Sequence, residues 1–242
     1  MTDPQPDFGE LLATPPKGTR FILVRHGETD WNRERRFQGH TDIPLNQQGV
    51  QQAGLVQQYL QALELTMGNP PYQVCVSSDL GRAKQTAAII HGDRQPPVSP
   101  SSALRERDYG HLSGLTAEEM QQKSPVEYAG MKARQVDATI RSGESIRMFY
   151  NRVVSEFQRL AVENPGQCVL LVAHGGVLDC IYRHCSGTLL EKPRDWLLPN
   201  CALNLVELDS NEKASVIAWA WQGHLAQTSA DRNLDEVDGR IT

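Results

Sequence analysis

Two stretches of this chain place a histidine and a glycine directly after an apolar run. Phe21-Ile22-Leu23-Val24 leads into Arg25-His26-Gly27, and Val169-Leu170-Leu171-Val172-Ala173 leads into His174-Gly175-Gly176. Imidazole titrates near neutrality, so it serves as nucleophile, proton carrier or metal ligand. The following glycine permits close backbone approach, or a positive φ, beside whatever binds. Either histidine alone is also explained as the end of a strand bonding a neighbouring carbonyl. The repetition of strand-His-Gly argues for a pair facing one ligand.

Arginines suggest that the ligand is an anion. Arg25 precedes the first histidine, and Arg82, in Ser77-Ser78-Asp79-Leu80-Gly81-Arg82, falls in the first turn of an expected helix. Backbone N–H groups and the helix dipole already attract negative charge there, so an arginine is locally disfavoured unless an anion binds. Two guanidiniums can clamp phosphoryl oxygens through paired hydrogen bonds that a lysine does not imitate. A third stretch, Leu104-Arg105-Glu106-Arg107-Asp108-Tyr109-Gly110, supplies carboxylates. A departing alcohol needs a proton, and a carboxyl group pushed toward its neutral form beside a phosphate can give one. By itself, that charged run also reads as a solvated loop.

The elements that must position these residues alternate between strand and helix patterns. Residues 20–25 are β-rich; Asn46 then caps a helix with Val50, Ala53, Val56, Leu60 and Leu63 at helical spacing. Residues 73–77 read as a strand, and 80–91 as a helix closed by Gly92. Thr116 and Ser124 each open a capping box with a glutamate three residues on, the second with Pro125 at the first helical position. A longer helix spans about 144–163 with Met148, Phe149, Val153, Phe157 and Leu160 inward. A strand at 168–173 and a helix at about 176–185, stopped by Gly187, follow. Strands at 203–208 and 215–221 form an antiparallel hairpin through Asp209-Ser210-Asn211. Strands apolar on both faces require helices on both sides. The expected fold is a three-layer α/β/α sandwich, with a mostly parallel central sheet and an antiparallel edge. In such a sheet the carboxyl ends of the strands form the ligand crevice.

At 242 residues and 39% apolar content the chain supplies one well-filled domain. We expect that domain at 20–225, a mobile proline-containing lead-in at 1–19 and a polar tail at 226–242. A net charge of -5 gives no general polyanion surface, so nucleic acid is not an expected partner. There is no run of about 18 apolar residues to span a membrane. Five cysteines, two of them in apolar runs, read as free thiols in a reducing, cytoplasmic setting. Cys180, His184 and Cys185 lack a second ligand pair at a zinc-like spacing, so core packing accounts for them better than a metal does. The edge strands and tryptophans such as Trp219 and Trp221 allow a homodimer.

Leu23-Val24-Arg25-His26-Gly27-Glu28-Thr29 followed by Trp31-Asn32 resembles the signature of the histidine phosphatase superfamily, which includes phosphoglycerate mutases and fructose-2,6-bisphosphatases. The resemblance continues through residues 37–45 and 49–53, Ser77 to Ala87, residues 104–114, Gly143-Glu144-Ser145 and residues 172–176, covering about 20–208. It implies a phosphoglycerate mutase-like fold, with His26 as the nucleophile that forms a phosphohistidine. Glu106 would be the general acid and then base, and His174 a donor to a phosphoryl oxygen. Arg25, Asn32, Gln38, Arg82 and the Gly175 N–H would complete the phosphate cradle. It implies no metal and no cofactor, because arginines and histidines take the electrostatic part.

The family holds hydrolases and mutases. Bisphosphoglycerate-dependent mutases carry a longer segment after the acid loop, with an adjacent arginine pair and a proline-rich stretch, and read His-Gly-Asn where this chain has His174-Gly175-Gly176. Residues 115–142 offer neither feature. The expectation is therefore a metal-independent phosphatase acting on a small phosphorylated metabolite, with residues 115–142 as a lid bearing Lys123, Tyr128, Met131, Lys132 and Arg134. A 2,3-bisphosphoglycerate-dependent phosphoglycerate mutase is the alternative. A non-catalytic phospho-ligand scaffold is a more distant one, since His26, Arg82, Glu106 and His174 are all present.

Overall fold

In the computed structural model, residues 7–209, 211 and 213–225 are described; residues 1–6 and the polar tail expected at 226–242 lie outside the described residues. Asp7 caps α1 (Phe8–Ala13), its carboxylate accepting from the Gly9 and Glu10 amides. β1 (Gly18–Arg25) follows, then the single turn α2 (Asp30–Arg33), opened by a capping box between Thr29 and Asn32. Asn46 caps α3 (Gln47–Met67), which ends at left-handed Gly68. β2 (Val74–Ser78), α4 (Gly81–His91) and a three-residue β3 (Ser99–Ser101) come next. The short helices α5 (Ala117–Lys123) and α6 (Pro125–Lys132) precede α7 (Ile146–Glu163). The chain closes with β4 (Cys168–Ala173), α8 (Gly175–Ser186), β5 (Leu203–Asp209) and β6 (Ala214–Trp221).

One six-stranded sheet has the order β3-β2-β4-β1-β5-β6. β3, β2, β4 and β1 pair in parallel, whereas β5 and β6 add antiparallel, which is the expected mixed sheet. Because side chains alternate across a strand, each central strand feeds two cores. Phe21, Leu23, Val169 and Leu171 pack on one face with Phe149, Val153, Phe157, Val177 and Ile181 of α7 and α8. Ile22, Val24, Leu170 and Val172 pack on the other with Ala53, Val56, Leu60 and Ala87 of α3 and α4. The three layers follow.

Local departures have physical reasons. The lead-in expected to be mobile forms α1 in its described part: Phe8 is fully buried and packs at a tilt against Trp221, while Arg20 donates to the carbonyls of Leu11 and Thr14. An apolar face docked on the sheet outweighs the disorder suggested by the prolines. Val50 and Met148, expected inward, are exposed, because the buried stripes run 49-53-56-60 and 149-153-157-160 and each lies about 100° round its helix. Ser124 makes no side-chain cap, since its backbone is set by ending α5, where its N–H bonds the Met120 carbonyl. β3 went unanticipated because Ser-Pro-Ser has no apolar pattern; it lies at the sheet edge, where proline is tolerated. Trp219 and Trp221 are half-buried, against Tyr182 and Tyr59 of the same chain. All five cysteines are free thiols, and burial pushes Cys75 and Cys168 up to about 12.

Candidate active site

Strand register brings the two strand-His-Gly stretches together. β1 and β4 pair in parallel from Arg20↔Cys168 to Arg25↔Ala173, so His26 and His174, the next residue of each, emerge side by side. The His26 N–H donates to the Ala173 carbonyl at 2.9 Å, and the imidazole centroids are 5.2 Å apart in an edge-on arrangement. β2 flanks β4 on its other side, which places Ser78 Oγ 2.8 Å from His174 Nε2.

A small cavity opens at this point, lined by Arg25, His26, Asn32, Arg36, Gln38, Arg82, Glu106 and Tyr109. Six residues singled out from the sequence therefore share one wall; His174 lies fully buried beside His26, and Gly175 is the first residue of α8. Arg82 is held rigid by the carbonyls of Gly39 and Thr41, at 2.8 and 2.9 Å, and Arg25 by that of Leu198 at 2.8 Å. Asn32 uses Oδ1 to accept from Thr29, both N–H and Oγ1, which leaves its amide nitrogen as the donor edge. Gln38 Oε1 and His174 Nδ1 are buried without a hydrogen-bond partner among the described residues.

The site is cationic and buried, and its histidines are held short of protons. Burial, then Arg82 and Arg25, hold the His26 pKa well below that of a free histidine; His174 is lowered by burial, then Arg82, His26 and Arg25. His26 Nδ1 lies 2.8 Å from the Gly27 carbonyl, so in the neutral ring it carries the hydrogen and Nε2 keeps its lone pair. Burial lowers His224 as well, to about 4. The native state thus binds fewer protons than the unfolded chain below the unfolded histidine pKa of about 6.5, and stability present above that pH is lost as pH falls. The three imidazoles together are expected to cost about 4 kcal/mol between pH 7.5 and 5.5. Urea midpoints at the two pH values check this; equal midpoints would mean that the native imidazoles are not held neutral.

The acid loop is held from three sides. Glu106 Oε1 accepts from the Arg107 N–H at 2.7 Å and Oε2 from the Gly176 N–H at 3.0 Å. Arg152 reaches the carbonyls of Ala103, Arg105 and Glu106 and forks onto Glu144, whose carboxylate also accepts from the Asp108 N–H. Gly176 lets the Glu106 carboxylate and the Phe149 ring come this close; a Cβ there would overlap both, so a side chain at this position needs them to shift. Of the two reasons expected for Gly27, close backbone approach applies and a positive φ does not: its Cβ would strike the backbone of Gly49, so the segment it admits is α3 closing on the loop after β1.

Sequence reasoning missed Arg36 and Tyr109 in the cavity wall, Gly176 against Glu106, and the Glu144–Arg152 clamp. Arg36 stands in a charge run without any signal of its own. Gly176 was legible only as a departure from His-Gly-Asn.

Comparison with known proteins shows the family and the fold. The model of the histidine phosphatase superfamily (branch 1) matches residues 21–222. The metal-independent phosphoserine phosphatase of Arabidopsis thaliana is 34% identical over 90% of this chain and 88% of its own. Phosphoglycerate mutase-like protein 4 of the same plant is 34% identical over 86% of this chain and 87% of its own. Among solved structures, YhfR of Bacillus stearothermophilus superposes with a TM-score of 0.76 at 30% identity, over 86% of this chain and 99% of that one. A phosphoserine phosphatase mutant of Entamoeba histolytica, in complex with phosphoserine, gives 0.73 at 25%, with the same coverage.

Proposed function

The chain belongs to the histidine phosphatase superfamily, and from that premise we propose that it is a metal-independent phosphomonoesterase that hydrolyses a small phosphorylated metabolite through a phosphohistidine. The observation that carries the reading is two buried, neutral histidines side by side against an arginine-lined cavity, with the Glu106 carboxyl in its wall.

In this mechanism His26 Nε2 attacks phosphorus, the N–P bond forms and the ester P–O bond breaks, while Glu106 gives its proton to the departing alcohol. Glu106 then takes a proton from water, whose oxygen displaces the imidazole and frees phosphate. Arg25 and Arg82 balance the charge on the phosphoryl oxygens in flight and, being prefixed by backbone carbonyls, need no reorganisation. Asn32, Gln38 and the Gly175 N–H donate to the same group. His174 donates through Nδ1 provided that its Nε2 accepts. Ser78 suits this: its Oγ accepts from the Leu80 N–H at 3.3 Å and lies 2.8 Å from His174 Nε2, where its hydroxyl hydrogen serves as the donor in this reading.

Residues 115–142 act in this reading as a lid on the domain at 20–225. α5 and α6 sit over a small apolar cluster of Phe37, Tyr109, Leu112, Met120 and Ile140, one member of which, Tyr109, lines the phosphate cavity. Lys123 and Lys132 are exposed, Tyr128 and Met131 half-buried, and Arg134 is buried.

The test is release of inorganic phosphate from a panel of phosphomonoesters in the presence of a chelator, beginning with phosphoserine because two of the similar proteins carry that activity in their names. Turnover that persists with chelator is expected. Failure to release phosphate from every ester, together with conversion of phosphoglycerate only when a bisphosphorylated primer is added, would make the protein a mutase instead.

A further inference from the structure

Arg82 is fully buried, and a loop far from it in sequence sets its direction. The turn at 38–41 is closed by the Thr41 N–H on the Gln38 carbonyl at 3.0 Å, with Gly39 at a φ of 51°. Its Gly39 and Thr41 carbonyls each take one terminal nitrogen of the guanidinium, at 2.8 and 2.9 Å. The same turn carries Gln38 into the wall of the phosphate cavity. Where the turn stands on α4 therefore decides where Arg82 aims its remaining N–H groups.

The turn is held on two sides. His40 Nε2 lies 2.9 Å from the Glu106 carbonyl, which ties it to the acid loop. Asp42 Oδ1 accepts from the Gly81 N–H at 2.7 Å, which ties it to the first residue of α4, immediately before Arg82. Leu80 occupies the N-cap of α4 and makes no side-chain cap bond, so the helix takes its capping carboxylate from another loop. The fit is close, because a Cβ on Gly81 would lie 2.6 and 2.7 Å from the two Asp42 carboxylate oxygens. An arginine in a first turn adds positive charge where the helix dipole already supplies it, and a carboxylate at that end offsets both. Yet Asp42 is exposed and does not line the phosphate cavity, and on charge alone an aspartate so near Arg82 repels the anion that Arg82 attracts. Geometry, not charge, gives this carboxylate a use.

We propose that Asp42 is a positioning residue: by capping α4 from the neighbouring loop it seats the turn at 38–41 on Arg82, and so aims the guanidinium at the phosphoryl group. The inference rests on the proposed function in one respect, that Arg82 binds that group.

The sign of the effect separates positioning from charge. Deleting a nearby negative charge by itself tightens anion binding. Asp42→Ala is expected instead to weaken the binding of inorganic phosphate, measured by calorimetry at pH 7.5, by about 10-fold, with a matching fall in kcat/KM for p-nitrophenyl phosphate. Asp42→Asn keeps a capping oxygen and drops the charge, so it should bind phosphate at least as tightly as the wild type. In an Arg82→Lys background, where no guanidinium remains to be aimed, Asp42→Ala should change the affinity by less than about 2-fold. Gly81→Ala is the second variant should Asp42→Ala fail to fold: its Cβ displaces the carboxylate from the helix side without removing its charge, and it should weaken phosphate in the same way. Unchanged or tighter binding in Asp42→Ala and Gly81→Ala, or an equal loss with and without Arg82, overturns the positioning role. Phosphate release by the wild type from the ester panel reports on the phosphatase reading alone. Release with unaltered phosphate affinity in the two variants keeps the phosphatase and removes the role of Asp42; the 10-fold loss without release does the opposite. A wild type that binds no phosphate overturns both.

Discussion

Replacing His26 by alanine is expected to lower chelator-resistant phosphate release by about 10³-fold or more, mostly in kcat. The expectation follows from the division of labour in the cavity. In the proposed mechanism Arg25, Arg82 and His174 remain in the variant to bind the phosphoryl group, so KM is expected to change little; what disappears is the lone pair assigned to attack phosphorus. His26 Nε2 is that lone pair because the Gly27 carbonyl claims Nδ1, and burial with two arginines keeps the ring unprotonated. Rapid quenching of the wild type with a labelled ester should trap an acid-labile phosphoryl group on the protein, and the variant should trap none. A His26→Ala protein retaining more than a tenth of the wild-type rate, with its fold intact by circular dichroism, would show that water attacks phosphorus directly.

Glu106→Gln should produce the second largest loss, and its size should depend on the leaving group. An alkyl alcohol departs poorly without a proton, so for phosphoserine-like esters a fall of about 10²- to 10⁴-fold in kcat is expected. A nitrophenolate leaves without help, so the first step with p-nitrophenyl phosphate should slow far less. The substitution is nearly isosteric, but one of its two carboxylate acceptors becomes an amide donor, and either Arg107 N–H or Gly176 N–H must then rotate away from it or bond the remaining oxygen. A thermal melt separates that effect from catalysis. Equal losses for both kinds of ester would remove Glu106 from the proton transfer and leave it a structural role in bridging the acid loop to α8.

Much of the molecule was legible because short-range physics decides it. The β4 boundaries, the Asn46 and Thr116 caps and the stops at Gly92 and Gly187 depend on neighbours a few residues away, and the structure has them where the pattern put them. Runs apolar on both faces required a covered sheet, and its mixed order follows from where crossover helices intervene and where a tight turn does. The residue types were equally telling: two histidines and an arginine at strand ends, with a second arginine in the first turn of a helix, are an expensive arrangement unless an anion balances them. The misjudged positions were those where tertiary packing overrides local preference, as at α1, whose Phe8 finds Trp221 more than 200 residues away.

What the sequence by itself determined is the list of reactive groups, the elements that carry them and their family. Tertiary structure alone decided their adjacency. His26 and His174 are 148 positions apart, and only the parallel register of β1 on β4 sets their rings 5.2 Å from each other. The reasons for Gly27 and Gly176, a helix backbone against one and a carboxylate against the other, are contacts between segments that no local pattern encodes. The same holds for the Glu144–Arg152 clamp on the acid loop and for Arg134, which a linear reading leaves among surface charges and the fold buries in a cavity. Periodicity reports which face of an element is buried, through a hydrophobic effect that has no direction. Which charged side chains meet inside is set by the register of strands and the docking of loops.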